Sequence, residues 1–346
     1  MFNISEVFKK AKEDKDKGAL SKNDAGPVSM QPPRMEDKVS LASFIDKDPE
    51  IIDAPRAKEI YDEALLYARM IYDSDLSGEQ PLDNDFIKAI DKIIVALLKR
   101  SKELFKLLLK AYPEREDYIY YHVVNVCIMS VELGIGLGYD RNKLGELGIA
   151  ALLHDIGQTE YSDLTEKRER FTKNDYNRIK NHPNRGAEIL GLIAKGLDKK
   201  IIDAIRHEHE RYDGSGYPQG LKSRDISEYA RIIGVVDVYE AMIHKRPYRD
   251  TMTPLDTMRA ILDNKKAYGL DILKCLIENI GIFPVGTYVQ LNTKQISLVV
   301  KGNPKSPFRP VVDIVSDADG SKLNAPRTVD LTQSSMLFID KCVKGG

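Results

Sequence analysis

The sequence lacks tryptophan and has only three cysteines and six histidines among its 346 residues. The cysteines, Cys127, Cys275 and Cys342, are far apart and form no CxxC pair. This excludes a zinc-type cysteine site and a disulfide framework, and it favours a reducing compartment. The N-terminus has no apolar segment of the secretory type, and no uninterrupted apolar run approaches the ~20 residues that span a bilayer. We therefore expect a cytoplasmic protein without a membrane span.

The chain also lacks an excess of charge of either sign. It has 52 Lys and Arg against 53 Asp and Glu, a formal net charge of −1. A broad surface for polymeric nucleic acid needs a basic domain or face, so this class of function is disfavoured. Hydrophobic residues make up 42% and charged residues 30%, as in soluble globular proteins.

The N-terminal part of the chain divides into two segments. Residues 1–52 are polar and lysine-rich with Gly, Pro and Ser breaks, and we interpret them as an arm or a small regulatory segment. Residues 53–84 are interpreted as a helical extension. Their apolar residues recur at helical spacing on one face, namely Ile60, Ala64, Leu65, Ala68 and Ile71.

Helical periodicity continues through residues 85–283 and predicts a helical domain, which begins with a helix from about Asp85 to Tyr112. That helix is expected to bury Ile87, Ile90, Ile94, Leu97 and Leu98. Residues 284–346 are predicted to form a small β module and tail. They contain three β-branched runs separated by Asn, Gly and Pro, namely GTYVQLNT at 286–293, ISLVVKG at 296–302 and RPVVDIVSD at 309–317. The expected fold is therefore mainly α, a helical bundle with a small C-terminal β module.

All six histidines fall between residues 122 and 244, and acidic residues accompany several of them. Imidazole and carboxylate without thiolate suit Mn, Fe or another borderline divalent ion. An aspartate can bridge two ions, and two ions ~3.5–4 Å apart stabilise the attacking and leaving oxygens in phosphate-ester hydrolysis. The candidates are His122, His154 with Asp155, His182, His207-Glu208-His209-Glu210 and Asp237.

Each candidate taken singly has a simpler explanation. A lone histidine on a helix is more often hydrogen-bonded than metal-bound, and HEHE at 207–210 can be a solvated helix end. Asp237 is harder to explain in this way, because an unpaired carboxylate in an apolar helix is costly and requires a partner.

Five segments of the helical region occur in a fixed order. They are His122, HDIG at 154–157, NHPNRGAEIL at 181–190, HEHERYDGSGYPQGL at 207–221 and ARIIGVVDVYEAMIHKRPYR at 230–249. In this order and spacing, residues 85–283 resemble the HD-GYP phosphodiesterases, a branch of the HD metal-dependent phosphohydrolases. The strand module after Gly281 also resembles the tail that follows many such domains.

The resemblance implies an HD-type helical bundle that hydrolyses cyclic di-GMP to pGpG or GMP with divalent metals. Through it, His154, Asp155 and Gln158 are expected to be catalytic. Gly216, Tyr217 and Pro218 are expected to line the substrate pocket, and Arg246 and Arg249 to hold phosphate. The simpler explanation of GSGYP at 214–218 is a tight loop in which Gly214 and Gly216 serve turns. The implied metal ligands are His122, His154, Asp155, His182, Glu208, His209 and Asp237.

Three positions depart from the family pattern. Gln158 stands where the family usually has Lys. Glu208-His209 stands where the family has a His-His pair. Glu208 can ligate a metal through oxygen, or His207 can serve as the ligand in its place. Tyr118 stands where members with three metals have Glu. We therefore expect two metal ions, Fe or Mn.

Three hypotheses for the function follow. The first is a cyclic di-GMP phosphodiesterase, and the second is a degenerate receptor that binds cyclic di-GMP or a protein without cleavage. The third is a phosphohydrolase for another nucleotide, including another cyclic dinucleotide. A homodimer and a GGDEF-type protein partner are further expectations.

Overall fold

The computed structural model describes residues 52–74, 76, 84–110, 118–165, 167, 169–194, 196–244 and 251–343. The interpretation of residues 1–52 as a polar arm therefore lies outside the described residues, except for Ile52.

Within these ranges the chain forms twelve α-helices and then an antiparallel sheet of five strands, which confirms the expected fold class. The helices are α1 Ala54–Tyr72, α2 Asn84–Leu98, α3 Lys102–Leu108, α4 Tyr118–Gly136, α5 Arg141–Leu153, α6 Ser162–Thr165, α7 Lys173–Ile179, α8 His182–Ile193, α9 Lys199–Arg206, α10 Glu228–Ile243, α11 Pro254–Asp263 and α12 Leu270–Asn279. The strands are β1 Tyr288–Leu291, β2 Ile296–Lys301, β3 Val311–Ser316, β4 Lys322–Asp330 and β5 Ile339–Cys342.

Helix α1 has the local features of a well-defined start. The Asp53 carboxylate accepts a hydrogen bond from the Arg56 N–H at 3.0 Å, and proline occupies the first turn. The predicted apolar face is confirmed, because Ile60, Ala64, Leu65 and Ala68 are all buried. This face packs into the same hydrophobic core as the helices that follow.

The prediction of one helix from Asp85 to Tyr112 is wrong, because the chain breaks after Leu98. Arg100 has φ of +57°, and the Ser101 hydroxyl accepts from the Leu104 N–H at 3.4 Å, starting α3. Serine favours such caps over helix interiors. Ile87, predicted to be buried, is 41% exposed.

Helix α4 is apolar on nearly all of its faces, which is typical of a helix enclosed by others. It contacts α1, α2, α5, α10 and α12. By length and composition it could cross a membrane, but 72% of its most apolar window is buried inside the protein. This central core helix carries His122.

The sheet has the strand order β4-β3-β2-β1-β5. The sequence predicted β1 to β3 but not β4 and β5. Strand β4 is exposed along most of its length and contains Pro326, so it lacks an alternating apolar pattern. Val289, Val299 and Val312 join the hydrophobic core of the helices, so the sheet packs directly on them.

Helix α2 offers a matched pair of substitutions that tests whether it belongs to the folding unit. Ile94 is 1% exposed and Ile87 is 41% exposed on the same helix. We expect Ile94→Ala to lower the free energy of unfolding by about 2–5 kcal/mol through lost burial and a cavity. Ile87→Ala should cost less than about 1 kcal/mol. Denaturant unfolding measures both, and equal effects would contradict this packing.

Candidate metal centre

The predicted ligands come from five separate elements that converge at one buried point. They are His122 on α4, His154 and Asp155 just after α5, His182 at the first position of α8, Glu208 and His209 just after α9, and Asp237 on α10. Six of the seven are buried, and His209 is partly buried. Ligands at helix ends are held by the packing of rigid elements, which gives a well-defined geometry.

Two glycines allow the backbone segments that carry these ligands to touch. A Cβ on Gly157 would lie 2.0 Å from the carbonyl oxygen of His182, and one on Gly234 would lie 2.3 Å from that of Glu208. Neither distance is sterically possible, so any side chain at these positions would separate the ligand-bearing segments. The glycine of HDIG therefore serves close packing of α8 against the loop after α5.

The ligand atoms form two groups, in each of which they lie within 4.8 Å of one another. One group is Asp155, His182, Glu208 and His209, and the other is His122, His154 and Asp237. Asp155 faces both. Its Oδ1 lies 3.3 Å from His182 Nε2, and its Oδ2 lies 3.5 Å from the Nε2 atoms of His122 and His154. This is the arrangement of a carboxylate that can bridge two ions.

Three histidines point the same ring nitrogen into the cluster. His154 Nδ1 lies 2.8 Å from the Ala151 carbonyl, and His182 Nδ1 lies 2.7 Å from the Ile179 carbonyl. A carbonyl only accepts, so both Nδ1 atoms donate. His122 Nδ1 lies 2.5 Å from the Glu240 carboxylate. Holding Nδ1 by an outer acceptor fixes the tautomer and presents Nε2 as the ligand atom.

The residues present fit a divalent cation. The Nε2 atoms of His122 and His154 and both carboxylate oxygens of Glu208 are buried without a hydrogen-bond partner among the described residues. His182 Nε2 and His209 Nε2 lie 3.2 Å apart. Buried polar atoms normally have partners, and a cation would satisfy this set of nitrogen and oxygen atoms at once.

Protons balance the charge of the ligands when no cation does. Burial disfavours the charged form of His122, but Glu240 and Asp237 outweigh it and raise its pKa to about 10. Asp155 and Glu208 likewise outweigh burial at His182 and raise its pKa to about 10. Burial would raise the pKa of Asp155, but His154, His182 and His122 outweigh it and hold this pKa well below its usual range.

The pKa values of Glu208 and His209 shift in the directions opposite to those of Asp155 and His122, because burial dominates at both residues. Burial raises the pKa of Glu208 to about 7 despite the neighbouring His154 and His182. Burial also lowers the pKa of His209 to about 3, and the adjacent His182 adds to the effect. The interpretation of HEHE as a solvated helix end is therefore wrong, because Glu208 and Glu210 are both buried.

The GYP segment is held beside the cluster by a buried carboxylate. Glu210 accepts the backbone N–H groups of Gln219 at 2.6 Å and Leu221 at 2.9 Å. Tyr217, joined to Pro218 by a cis peptide bond, places its ring centroid 4.8 Å from that of His209. The turn interpretation holds for Gly214, with φ of +84°.

Gly216 has a different role from the predicted turn. A Cβ there would lie 2.3 Å from the backbone nitrogen of Arg211, so this glycine allows close packing on the chain that follows His209. Both Gly216 and Tyr217 thus lie directly against the ligand-bearing loop.

The three departures from the family pattern each make a specific contact. Gln158 donates to Asp155 Oδ1 at 2.5 Å, so it orients the bridging carboxylate. Tyr118 stacks on the His122 ring, with centroids 5.4 Å apart. Glu208 is a member of the first group, whereas the alternative ligand His207 belongs to neither group. Arg246 and Arg249 lie outside the described residues.

Sequence reasoning missed two kinds of residue at this site. Glu240 lies one helical turn after Asp237 and accepts a hydrogen bond from His122. His244 places Nδ1 2.8 Å from the same carboxylate. The spacing of three and four residues on α10 was the available signal. Lys180 was also missed; its ammonium lies 5.3 Å from the Tyr217 ring centroid and 5.0 Å from that of Tyr176.

Family models match two parts of the chain. Residues 108–272 match the HD domain, and residues 288–345 match a KOW domain associated with the HD domain. The second match coincides with the five-stranded sheet.

Several curated proteins are similar to this chain in sequence. A cyclic di-GMP phosphodiesterase of Pseudomonas aeruginosa is 31% identical over 69% of this chain and 57% of its own length. The cyclic di-GMP phosphodiesterase PdeB of Borreliella burgdorferi is 31% identical over 58% of this chain and 52% of its own. A 3'3'-cGAMP-specific phosphodiesterase of Vibrio cholerae is 30% identical over 46% of this chain and 31% of its own. The chain thus spans about half the length of the first two relatives.

A solved structure shows the same fold. It is an HDG"Y"P protein from Bdellovibrio bacteriovorus, with a TM-score of 0.53 and 20% identity over 68% of this chain and 74% of its own. At this identity the likeness supports the helical fold alone.

Loading this centre with a divalent metal should release protons, and metal affinity should rise with pH. The raised pKa values of His122 and His182, about 10, mean that both carry protons near neutrality, and a metal must displace them. Competition from protons therefore weakens as pH rises from about 6 to 8. Calorimetric titration of chelator-stripped protein with Mn²⁺, in two buffers of different ionisation enthalpy, measures the release.

His207→Gln is the matched control for this experiment, because His207 lies outside both ligand groups. It should release the same number of protons as the unaltered chain. A heat of binding that does not depend on the buffer would contradict the charge balance described above.

Proposed function

We propose that this chain, which belongs to the HD-domain family and carries the HD-GYP sequence blocks, is a metal-dependent phosphodiesterase that hydrolyses cyclic di-GMP to pGpG, GMP or both. The observation that carries the proposal is the position of Asp155, whose two oxygens face two separate groups of ligands. Relatives named as cyclic di-GMP phosphodiesterases support the substrate.

The ligand set supports two metal ions, with Fe or Mn as the best match. One would be held by His122, His154, Asp155 and Asp237, and the other by Asp155, His182, Glu208 and His209. When bound, such ions act as Lewis acids and activate water for attack on a phosphate ester. Carboxylates in place of thiolates, and Glu208 in place of a histidine, make the site suitable for harder ions than zinc.

The chain's own residues would position the reacting groups. Gln158 donates to Asp155 and holds the bridging carboxylate in one orientation. Tyr217 lies beside His209, where its flat face can contact a guanine base. Lys180, above the Tyr217 ring, supplies positive charge at the edge of the cluster. Arg246 and Arg249 stay predicted phosphate contacts.

A receptor that binds the cyclic dinucleotide without cleaving it is the second candidate. It is favoured by the contact between Gln158 and Asp155, since a neutral amide engaged there supplies neither positive charge nor a proton to phosphate. The relatives named for 3'3'-cGAMP make that dinucleotide a further candidate substrate.

The cellular setting is proposed from the free thiols. Cys127, Cys275 and Cys342 form no disulfide, which suits a reducing cytoplasm. A homodimer and a GGDEF-type partner stay predictions.

Replacing the bridging carboxylate tests the proposed reaction. Asp155→Asn should lower the rate of cyclic di-GMP hydrolysis by at least about a thousand-fold, because the metal contribution to such reactions is several kcal/mol. Chromatography of products from Mn- or Fe-loaded protein measures the rate. The control is Asp85→Asn, an exposed carboxylate on α2 that should keep full activity.

The outcome also separates the two candidates. Tight binding of cyclic di-GMP by the loaded, unaltered chain without hydrolysis over hours would overturn the enzyme and favour the receptor. Faster turnover of 3'3'-cGAMP than of cyclic di-GMP would make 3'3'-cGAMP the preferred substrate and would leave the proposed metal-dependent hydrolysis unchanged.

Lys180 provides a test of substrate binding apart from catalysis. Lys180→Gln should raise KM about five-fold with little change in kcat, because a charge contact near the surface is worth at most ~1 kcal/mol. Steady-state kinetics at low and high salt measures this effect, which should fade as salt rises. Lys173→Gln, an exposed lysine at the start of α7, the helix that Lys180 follows, should leave KM unchanged. Equal KM values for the two variants would contradict the role of Lys180.

A further inference from the structure

A buried chain of hydrogen bonds leads from helix α1 to a proposed metal ligand. The Tyr61 hydroxyl donates to Asn125 Oδ1 at 2.7 Å, and Asn125 Nδ2 donates to Glu240 Oε1 at 3.1 Å. Glu240 Oε2 then accepts from His122 Nδ1 at 2.5 Å. Tyr61 is 5% exposed, Asn125 is 1% exposed, and Glu240 and His122 are fully buried. Water therefore has little access to these bonds.

The chemistry of each member fixes the direction of the whole chain. The phenol donates to the amide oxygen, so the Asn125 amide nitrogen faces Glu240. The carboxylate has only acceptor atoms when ionised, so it takes hydrogen bonds from both the amide and the imidazole. His122 consequently carries its proton on Nδ1 and presents Nε2 to Asp155 and Asp237, at 3.5 and 3.3 Å.

The first member of this chain lies outside the residues that match the HD domain, which begin at 108. Tyr61 belongs to α1, whereas Asn125 and Glu240 belong to α4 and α10. A second hydroxyl of helix α1 reaches the helix that precedes His154, since Tyr72 donates to the Leu152 carbonyl at 3.0 Å. One helix thus hydrogen-bonds both to the chain that leads to His122 and to the last turn of α5.

We propose that Tyr61 is a positioning residue for this metal group. By holding Asn125 it orients Glu240, and Glu240 fixes the ring plane and tautomer of His122. Loss of the hydroxyl lets the amide turn and weakens one of the contacts that hold Glu240, which His244 also contacts at 2.8 Å, so His122 is presented less well to a cation. The group of His182, Glu208 and His209 has no member on this chain of hydrogen bonds and should keep its affinity. The inference rests on the metal centre proposed above.

Stepwise metal titration tests the proposal. Chelator-stripped full-length protein is titrated with Mn²⁺ by calorimetry, and the two binding steps are compared between variants. Losing the direct outer partner of a ligand usually costs about 10-fold or more. Tyr61→Phe removes a more distant support and should weaken one step by about three-fold to 10-fold, and leave the other unchanged. Tyr229→Phe is the matched control, because its buried hydroxyl also donates to a carboxylate, Glu146, at 2.7 Å. Glu146 belongs to neither ligand group.

A double-mutant cycle separates positioning from general loss of structure. Asn125→Ala interrupts the same chain one bond later, so it should weaken the same step. The double variant Tyr61→Phe with Asn125→Ala should lose little more than Asn125→Ala alone, whereas independent structural damage would add.

Two results would overturn the proposal. Equal metal affinities for Tyr61→Phe, Tyr229→Phe and the unaltered chain would remove the role of Tyr61 and leave the metal centre intact. An unaltered chain that binds no metal at either group would overturn the centre itself, and this inference with it.

Discussion

The need to neutralise buried carboxylates determines most of this structure. Asp155, Glu208, Asp237 and Glu240 lie in one region of the core, and all are buried. A buried charge without a partner costs several kcal/mol, so the surrounding elements must bring positive charge or hydrogen-bond donors to this point. The histidines meet that need in either state, as protonated imidazoles or as ligands that share a cation with the carboxylates.

The packing of the helices follows from this requirement. Five of the seven proposed ligands stand at the ends of α5 and α9 and at the start of α8, so backbone segments rather than long side chains must come together. Gly157, Gly216 and Gly234 permit that approach, because a Cβ at each would overlap the opposing main chain. These glycines therefore influence the electrostatics of the site indirectly, by deciding how close the ligands can be.

The clustering of these His, Asp and Glu residues could be anticipated from the sequence, because histidine is scarce and its ordered positions carry the resemblance to the HD-GYP phosphodiesterases. The apolar face of α1 was predictable for a similar reason, since the 3.6-residue period is local information. The network of Tyr61, Asn125 and Glu240 was not predictable, because its members lie far apart in the sequence and meet only through tertiary packing. The break before Ser101 was missed because the apolar period of the two flanking helices hides a single capping residue.

The strands also differ in whether the sequence pattern could predict them. Strands β1 to β3 bury alternate residues and show it in their composition, whereas β4 is largely exposed and is defined by its hydrogen bonds to β3. A pattern of buried residues cannot reveal a strand that buries few of them. What the sequence conveyed about the site was thus residue chemistry, and what it lacked was the long-range geometry of supporting contacts.

The hydrophobic core has a consequence for how such chains evolve. It extends without interruption from Ala57 on α1 to Leu331 beyond β4, yet the HD-domain match begins at Leu108, a residue that is 1% exposed. The segment that matches the HD domain is therefore smaller than the unit that excludes water. A recombination event that transferred residues 108–272 alone would carry the proposed metal ligands. It would also expose the apolar surfaces that the flanking helices and the sheet cover. Inheritance of the flanking helices and sheet together with the motif-bearing region is the arrangement that this packing favours.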